Sequence, residues 1–514
     1  MLPHLIAAAA VWTLASAQCP LYANYANEKH APYSGGRYNL SYQRPIPSCR
    51  TFHSPEVEET ITRLKDIIVD PDLFRLFENA YPNTLDTTIA WRGYANGENG
   101  TTTDEELAFV VTGDIEAMWL RDSANQLQAY TSLLQANTSR DSLASLFRGV
   151  INLQGRYIQE APFCNAFQAP SEAGRKAHSS MNSDTITPSF DYMKVFSCNW
   201  ELDSLASFLS LSNDYITATN DITFFQKYQW VKTVETILQT AESMRMDSYK
   251  EDGHWQHTPY TYCAPYGGTP INDCNGSPHK GNIGLIRSFH RPSDDACTYQ
   301  YLIPSNMMFS ATLNSSASLI MAKLDPSITG NLTVWMKNMA TEVHQGIEEY
   351  GVIHDRTYGE IYAYEVDGYG GTNIMDDANV PSLLSAPFLG YLNASDTVYQ
   401  NTRKKILSKD NPYYAWGPVI SGVGSPHTRP GRPWPMALIM EILTGREENE
   451  GGVVRALRDL VGSTGDLGLM HESVSSHYEH VWSRQWFSWA NGLFGQAILD
   501  LEKRMPHILK MGFQ

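Results

Sequence analysis

Hydrophobic residues recur every three or four positions along most of the chain after residue 54. Val57, Ile61, Leu64 and Ile68 follow the spacing that places apolar side chains on one face of an α-helix. The same periodicity predicts further helices at 115–135, 140–160, 200–212, 222–246, 305–324, 331–348, 433–444, 451–461 and 485–503. Strand-like alternation is sparse, and we expect only short strands near 353–364.

Long polar loops rich in Gly and Pro separate the predicted helices, at 162–190, 249–296, 351–381 and 408–433. Loops of this length are uncommon in compact domains unless they are functional. One economical architecture is an α/α toroid, in which the loops gather at one end into a concave site. The periodicity predicts helices and loops, but it does not by itself select the toroid.

The N-terminal segment has the features of a secretory signal peptide at 1–17. Apolar residues fill positions 5–12, Ala15 and Ala17 form a small-x-small cleavage site, and the segment is too short to span a membrane. We expect an irregular arm at 18–53 and no membrane span. Secretion agrees with seven Asn-x-Ser/Thr sequons, at Asn39, Asn99, Asn137, Asn275, Asn314, Asn331 and Asn393.

Seven cysteines remain after the predicted signal peptide, and none has the C-x-x-C spacing of zinc or redox sites. An oxidising compartment allows three disulfides and leaves one thiol. The sequence does not fix the connectivity. Our prediction pairs Cys19 with Cys49, Cys164 with Cys198 and Cys263 with Cys274, and leaves Cys297 as a buried free thiol.

Composition narrows the classes of ligand. The chain has 514 residues, of which 42% are hydrophobic, enough for a large core, and its net charge of −17 disfavours nucleic acid as a partner. The 12 Trp and 28 Tyr suit carbohydrate binding, although a large core also needs aromatic residues. The sequence has no phosphate-binding loop, no G-x-S-x-G elbow, no H-E-x-x-H and no dinucleotide-binding fingerprint.

Several polar segments carry candidate chemistry. In 112–125, Asp114 begins a predicted helix as a cap, and Arg121 with Asp122 beside Trp119 either binds vicinal sugar hydroxyls or forms a buried ion pair. In 199–204, Glu201 and Asp203 start the next predicted helix, and a role as helix caps explains both residues adequately.

Two other segments contain carboxyl groups suited to acid and base catalysis. Pro292 and Ser293 predict a turn into a helix, followed by the adjacent residues Asp294 and Asp295. Neighbouring carboxylates repel, which favours a protonated acid of the kind that glycosidic cleavage needs, with simple capping as the rival interpretation. Glu472 follows a glycine-containing turn and precedes an aromatic cluster, where a carboxylate can deprotonate water.

The segments 112–125, 291–297, 376–381, 424–428 and 470–473 resemble those of glycoside hydrolase family 125, exo-acting α-1,6-mannosidases of bacteria and fungi. The first, Thr-Gly-Asp-Ile-x-Ala-Met-Trp-Leu-Arg-Asp-Ser, is long enough to be specific. The resemblance implies an all-α (α/α)6 toroid at 54–514 as one catalytic domain. It also implies inversion at the anomeric carbon without a metal or other cofactor.

The resemblance further implies catalytic roles. Asp294 becomes the general acid, with Asp295 as the alternative, and Glu472 becomes the general base. Residues expected to hold the terminal mannose are Asp114, Trp119, Arg121, Asp122, Arg291, Asp295, Asp377, Asn379 and His427. For inversion, the two carboxyl groups should lie about 6.5–9.5 Å apart. We expect the loop at 408–433 to close one end of the pocket.

This chain departs from the bacterial members in its longer loop at 263–282, its N-terminal arm and its sequons, which fit a secreted fungal-type member. The expected partner is a mannose-containing glycan, and a monomer is favoured. Three alternatives remain: an inverting α-glucosidase of a related toroid family, a mannan-binding protein without turnover, and a calcium-dependent mannosidase that chelation would inactivate.

Overall fold

The computed structural model describes residues 19–97, 100–178, 184–263, 272 and 274–513. The predicted signal peptide at 1–17 lies outside the described residues. Helices of eight or more residues are α1 Pro55–Lys65, α2 Pro71–Ala80, α3 Leu120–Gln128, α4 Leu143–Glu160, α5 Leu202–Thr219, α6 Trp230–Ser243, α7 Ile303–Leu319, α8 Leu332–Gly346, α9 Thr397–Ile406, α10 Pro435–Leu443, α11 Glu450–Gly462 and α12 Ser488–Arg504.

The helices form an inner and an outer layer. In the inner layer α12 packs against α3, α3 against α5, α5 against α7, and α10 against α12. In the outer layer α4 packs on α5, α8 on α7, α11 on α10 and α2 on α12. The inner helix α7 is buried almost all round, as expected of a helix enclosed on every side. This arrangement is the all-α (α/α)6 toroid that the family resemblance predicted.

Local sequence explains where several outer helices begin. The side chain of Asp70 accepts hydrogen bonds from the backbone N–H groups of Asp72 and Leu73, and Pro71 occupies the first turn of α2. Asp396 caps α9 in the same way through the N–H of Tyr399. These caps satisfy backbone donors that the first helical turn leaves unpaired.

The strands are short and form small antiparallel sheets that hold loops. They are β1 Ile89–Asn96, β2 Thr102–Val110, β3 Met118–Trp119, β4 Ala166–Phe167, β5 Thr185–Thr187, β6 Val195–Ser197, β7 Thr261–Cys263, β8 Tyr301–Leu302, β9 Val352–Asp355, β10 Gly359–Tyr362, β11 Glu365–Val366, β12 Thr372–Asn373, β13 Tyr414–Ala415 and β14 Gly422–Val423. The sheet β3–β4–β6 aligns the chain just before α3 with the loops that precede α5. The β9–β10 hairpin confirms the strands expected near 353–364.

The structure corrects several predicted elements. The helix expected at 115–135 begins only at Leu120, because Met118 and Trp119 pair with β4 as a strand. The helix expected at 222–246 is divided into Phe224–Lys227 and Trp230–Ser243. The helices α2 and α9 and the β1–β2 hairpin were not predicted.

The predicted cysteine pairing is confirmed. Cys19 is bonded to Cys49, Cys164 to Cys198 and Cys263 to Cys274, and Cys297 is a buried free thiol. The first of these bonds anchors the arm that precedes α1. The arm also packs through Arg44, which is buried and forms ion pairs with Glu58 and Asp86.

Within the described part of the chain, every helix is too short or too polar to cross a membrane.

Candidate active site

The loops around the N-terminal ends of the inner helices enclose a small pocket of about 50 Å³. Seven of the residues predicted from the sequence line it: Trp119, Arg121, Asp122, Asp294, Asn379, His427 and Glu472. The other lining residues are Thr112, Ile115, Pro292, Ser293, Trp434, Arg484, Phe487 and Trp489. The remaining predicted residues, Asp114, Arg291, Asp295 and Asp377, lie around this lining and contact it.

Asp294 lies in a tight turn, not at a helix N-terminus. The backbone N–H of Asp294 donates to the carbonyl of Arg291, and His290 pairs with Ala296 across the turn. The backbone of Asp294 is left-handed, with φ of 66°. The prediction of a helix after Ser293 is therefore wrong, and so is the capping interpretation of this turn, because the next helix begins only at Ile303.

Two asparagine amides hold the carboxyl group of Asp294. The side-chain NH2 groups of Asn165 and Asn199 donate to Asp294 Oδ1 over 3.2 and 3.1 Å. Both asparagines follow a cysteine of the Cys164–Cys198 disulfide, and the Asn199 N–H donates to Asn165 Oδ1. The disulfide thus fixes the two amide donors next to each other and directs them to one carboxyl oxygen.

Arg121 sits at the centre of a buried acidic cluster. Its Nη1 lies 2.5 Å from Glu201 Oε2 and 3.0 Å from Asp203 Oδ2, and its Nε lies 3.8 Å from Asp122 Oδ2. Burial and the charge of Asp294 raise the pKa of Glu201 well above its ordinary value and that of Asp122 to about 6, although Arg121 acts in the opposite direction. These two buried carboxyls are therefore protonated more readily than exposed ones.

This cluster changes the interpretation of three acidic residues. Glu201 precedes α5 without forming a side-chain cap, so its capping interpretation is wrong, and with Asp203 it pairs with Arg121. Asp114 likewise caps no helix, and its Oδ1 lies 3.5 Å from Arg484 Nη1. The charge of a buried arginine must be neutralised by nearby carboxylates, which explains why these acidic residues form ion pairs and do not cap helices.

Glu472 faces the pocket from a loop that folds back on itself through pairing of Val474 with Trp482. The hydroxyl of Ser483 donates to Glu472 Oε2 over 2.6 Å. The Nε of Arg484 lies 3.7 Å from Glu472 Oε1. These two contacts hold the carboxyl group of Glu472 in place at the edge of the pocket.

Asp295 points away from Asp294 to His427. The carboxylate oxygen lies 3.5 Å from His427 Nδ1 and raises the pKa of that imidazole to about 9, although partial burial acts in the opposite direction. His427 is therefore a cation at neutral pH. It comes from the loop at 408–433, so this loop contributes a side chain to the pocket lining.

Arg291, Asp377 and Asn379 support the turn that carries Asp294. Arg291 Nε is paired with Glu365 over 2.6 Å, and Ser293 donates to Asp377. The side-chain amide of Asn379 donates to the carbonyl of Pro292. Burial raises the pKa of Asp377 above its ordinary value. Of these three residues, only Asn379 also lines the pocket.

Four polar groups on the lining residues have no hydrogen-bond partner among the described residues. They are Thr112 Oγ1, Arg121 Nε, Asn379 Oδ1 and Trp489 Nε1. Buried polar atoms are normally hydrogen-bonded, and leaving one unpaired costs on the order of 1–3 kcal/mol. Donors and acceptors that converge unpaired on one small pocket favour a ligand with several hydroxyl groups.

Sequence reasoning missed Asn165, Asn199, Ser483, Arg484 and Trp489. Asn165 and Asn199 each follow a cysteine of one predicted disulfide, and that shared position was the available signal. Arg484 and Trp489 lie in the aromatic segment after Glu472, where position alone could not separate pocket residues from core residues. No three His, Cys, Asp or Glu side chains in the described ranges are arranged as a metal site.

A helical toroid whose loops bring acidic, arginine and tryptophan side chains into one small polar pocket defines a glycoside hydrolase. The model of the family described as metal-independent α-mannosidase (GH125) matches residues 70–499. The chain belongs to this family, glycoside hydrolase family 125.

Two relatives agree with this assignment. The meiotically up-regulated gene 157 protein of Schizosaccharomyces pombe (strain 972 / ATCC 24843) is 44% identical over 497 residues, which cover 96% of this chain and 94% of the relative. A metal-independent α-mannosidase of Streptococcus pneumoniae, solved in a non-productive complex with α-1,6-mannobiose, is 32% identical. It superposes with a TM-score of 0.75 over 90% of this chain and 100% of that chain.

Proposed function

We infer that the protein is an inverting exo-α-1,6-mannosidase in which Asp294 is the general acid and Glu472 is the general base. The observation that carries this proposal is that both carboxyl groups line one small pocket together with unpaired polar groups. Two carboxyl groups facing one sugar site are what glycoside hydrolysis requires.

The position of Asp294 favours it over Asp295 as the acid, because Asp294 lines the pocket and Asp295 does not. Both asparagine amides donate to Oδ1, which leaves Oδ2 to carry the proton toward the leaving oxygen. Asp295 instead pairs with His427 over 3.5 Å.

Glu472 suits the complementary role. The hydroxyl of Ser483 donates to Oε2, which leaves Oε1 to accept a proton from a water molecule. In the inverting mechanism that water attacks the anomeric carbon from the side opposite the leaving oxygen. The released sugar is then the β-anomer.

The family resemblance implies exo action on mannosides, and the lining of the pocket supports it. Side chains from several separate loops surround the pocket, which suits the end of a sugar chain better than its interior. Arg121 Nε and Asn379 Oδ1 offer one donor and one acceptor to adjacent hydroxyls, and Trp119 can cover a sugar face. The α-1,6 linkage is taken from the mannobiose bound to the Streptococcus pneumoniae relative.

We also propose that the protein is secreted after removal of residues 1–17 and is glycosylated. The three disulfides are compatible with an oxidising compartment. Five sequons have exposed asparagines, at Asn39, Asn137, Asn314, Asn331 and Asn393. Asn275 is buried and a poor acceptor, and Asn99 lies outside the described residues.

A linkage panel tests the proposal. Purified protein is incubated with α-1,2-, α-1,3- and α-1,6-mannobiose and with an α-1,6-linked glucobiose, each with and without a chelator. The proposal predicts rapid release of mannose from α-1,6-mannobiose alone, unaffected by the chelator. Cleavage of the glucobiose, loss of activity on chelation, or binding of mannobiose without turnover would each contradict it.

A further inference from the structure

A wide groove of about 920 Å³ opens next to the small pocket. Its walls come from the segments 412–416 and 424–432 and from the chain at 475–478. Pro426 and Thr428 line the groove, whereas His427 between them lines the pocket. The chain after Glu472 likewise passes from the pocket into the groove. The pocket and the groove therefore border the same two loops.

The charge of the groove is opposite to that of the whole protein. No aspartate or glutamate is among the described residues that line it, but Arg429, Arg432 and His477 are. The Nζ of Lys409 lies 3.9 Å from the ring centre of Trp416 and adds a fourth basic side chain at the edge. On a chain with a net charge of −17, such a surface selects an anion locally.

The two arginines are available to a ligand. Arg429 is exposed and Arg432 partly exposed, and neither forms an ion pair with another described residue. Arg455 and Arg504, by comparison, are paired with Glu441 and Asp500. Guanidinium groups bind phosphate through paired hydrogen bonds, which makes phosphate the anion that they suit best.

The groove also has aromatic side chains for sugar rings. The side chains of Trp416 and Tyr478 are 52% and 69% exposed, which is unusual for rings of this size. Tyr413 and Tyr414 line the same surface. Aromatic rings offer an apolar face and, in tyrosine, a polar edge, which suits the mixed surface of a sugar.

We propose that this groove, defined by Trp416, Arg429, Arg432 and Tyr478, binds the leaving-group part of a mannoside that carries a phosphate group. The inference rests on the proposed function, since it assumes that the terminal mannose occupies the pocket. It adds a substrate class: α-1,6-mannosides with an anionic group one or two sugars beyond the bond that is cleaved.

Calorimetry with defined oligosaccharides tests the groove. The full chain carrying Glu472→Gln, which prevents trimming, is titrated with α-1,6-mannotriose bearing a phosphate monoester at its reducing end. The same sugar after phosphatase treatment and inorganic phosphate alone are the comparison ligands. We expect the phosphate to strengthen binding of the sugar at least tenfold, with the gain falling steeply as salt is raised.

Arg429→Gln with Arg432→Gln should abolish that gain. The matched control is Arg356→Gln with Lys404→Gln, which removes the same charge from two exposed residues outside the groove and should retain the gain. Trp416→Ala should weaken binding of both the phosphorylated and the neutral sugar. Equal binding of these two sugars, or equal effects of the two double variants, would overturn the inference.

Two further outcomes are informative. If inorganic phosphate binds as tightly as the phosphorylated sugar, the groove is a simple anion site and the glycan part of the inference is wrong. Hydrolysis of α-1,6-mannobiose by the unaltered protein separates the two proposals. Cleavage without a gain from phosphate refutes only the groove, whereas a gain from phosphate without cleavage refutes only the proposed function.

Discussion

The substitution Asp294→Asn isolates proton donation from folding. Asparagine tolerates the left-handed backbone that this position adopts, with φ of 66°, better than other non-glycine residues. Its side-chain oxygen can still accept the amides of Asn165 and Asn199. We therefore expect the free energy of unfolding to change by less than about 1 kcal/mol, the net contribution of one hydrogen bond.

The chemical effect should be much larger. A positioned general acid contributes roughly 10²- to 10⁴-fold, which corresponds to about 2.7–5.4 kcal/mol of the activation barrier. We predict a loss of this size in kcat/KM for α-1,6-mannobiose. An aryl α-mannoside with an acidic phenol needs no proton on its leaving oxygen, and its cleavage should fall by less than about tenfold.

Asp295→Asn is the matched control, because it makes the same chemical change at the adjacent residue. The ratio of kcat/KM for mannobiose to kcat/KM for the aryl mannoside should stay close to that of the unaltered protein. The reasoning is refuted if Asp295→Asn selectively abolishes mannobiose cleavage while Asp294→Asn does not. Thermal unfolding of both variants would identify a loss of activity caused by misfolding.

Three other predictions test the support of the site. In Asp295→Asn the pKa of His427 should fall from about 9 toward 6.5, as measured by NMR titration of its ring. In the unaltered protein this contact stabilises the fold below about pH 6.5, and the contribution is lost as pH rises through about 9. Replacing Cys164 and Cys198 by alanine, which opens a link across 34 residues, should lower the free energy of unfolding by about 3–4 kcal/mol and also reduce kcat. Arg121→Met should cost about 3–5 kcal/mol in urea unfolding, because it leaves two buried carboxylates unpaired.

Each of these has a distinguishing result. An unchanged titration of His427 in the Asp295 variant would show that another group sets its pKa. Full activity without the Cys164–Cys198 bond would show that this disulfide does not position Asp294. Arg121→Lys keeps the charge and should destabilise less than Arg121→Met, so equal losses would contradict the ion-pair explanation.

Sequence patterns predicted most of the fold because the inner and outer helices repeat apolar residues with helical spacing. They missed α9, where the polar residues Thr402 and Arg403 occupy two of the four buried positions. They also missed α2, although its buried apolar residues follow helical spacing. They also extended α3 too far, since pairing of Met118 and Trp119 with β4 depends on a distant loop. The local spacing of apolar residues does not show which distant strand a segment pairs with.

The candidate site was predictable to a similar degree. Seven of the residues identified in the motifs line the pocket, and five of these have acidic or basic side chains. Their partners were not identified, because Asn165 and Asn199 reach Asp294 through a disulfide between separate loops. The prediction that Glu201 acts as a cap failed for a related reason, since its true partner, Arg121, is 80 residues away in the sequence.

The stereochemistry of hydrolysis tests the central claim most directly. Proton NMR of α-1,6-mannobiose during the first minutes of cleavage resolves the anomeric proton of the released mannose before it mutarotates. The pairing of Asp294 as acid with Glu472 as base predicts that β-mannose appears first and α-mannose only later. Initial release of α-mannose would contradict an inverting mechanism, and an intact disaccharide would contradict the α-1,6 specificity.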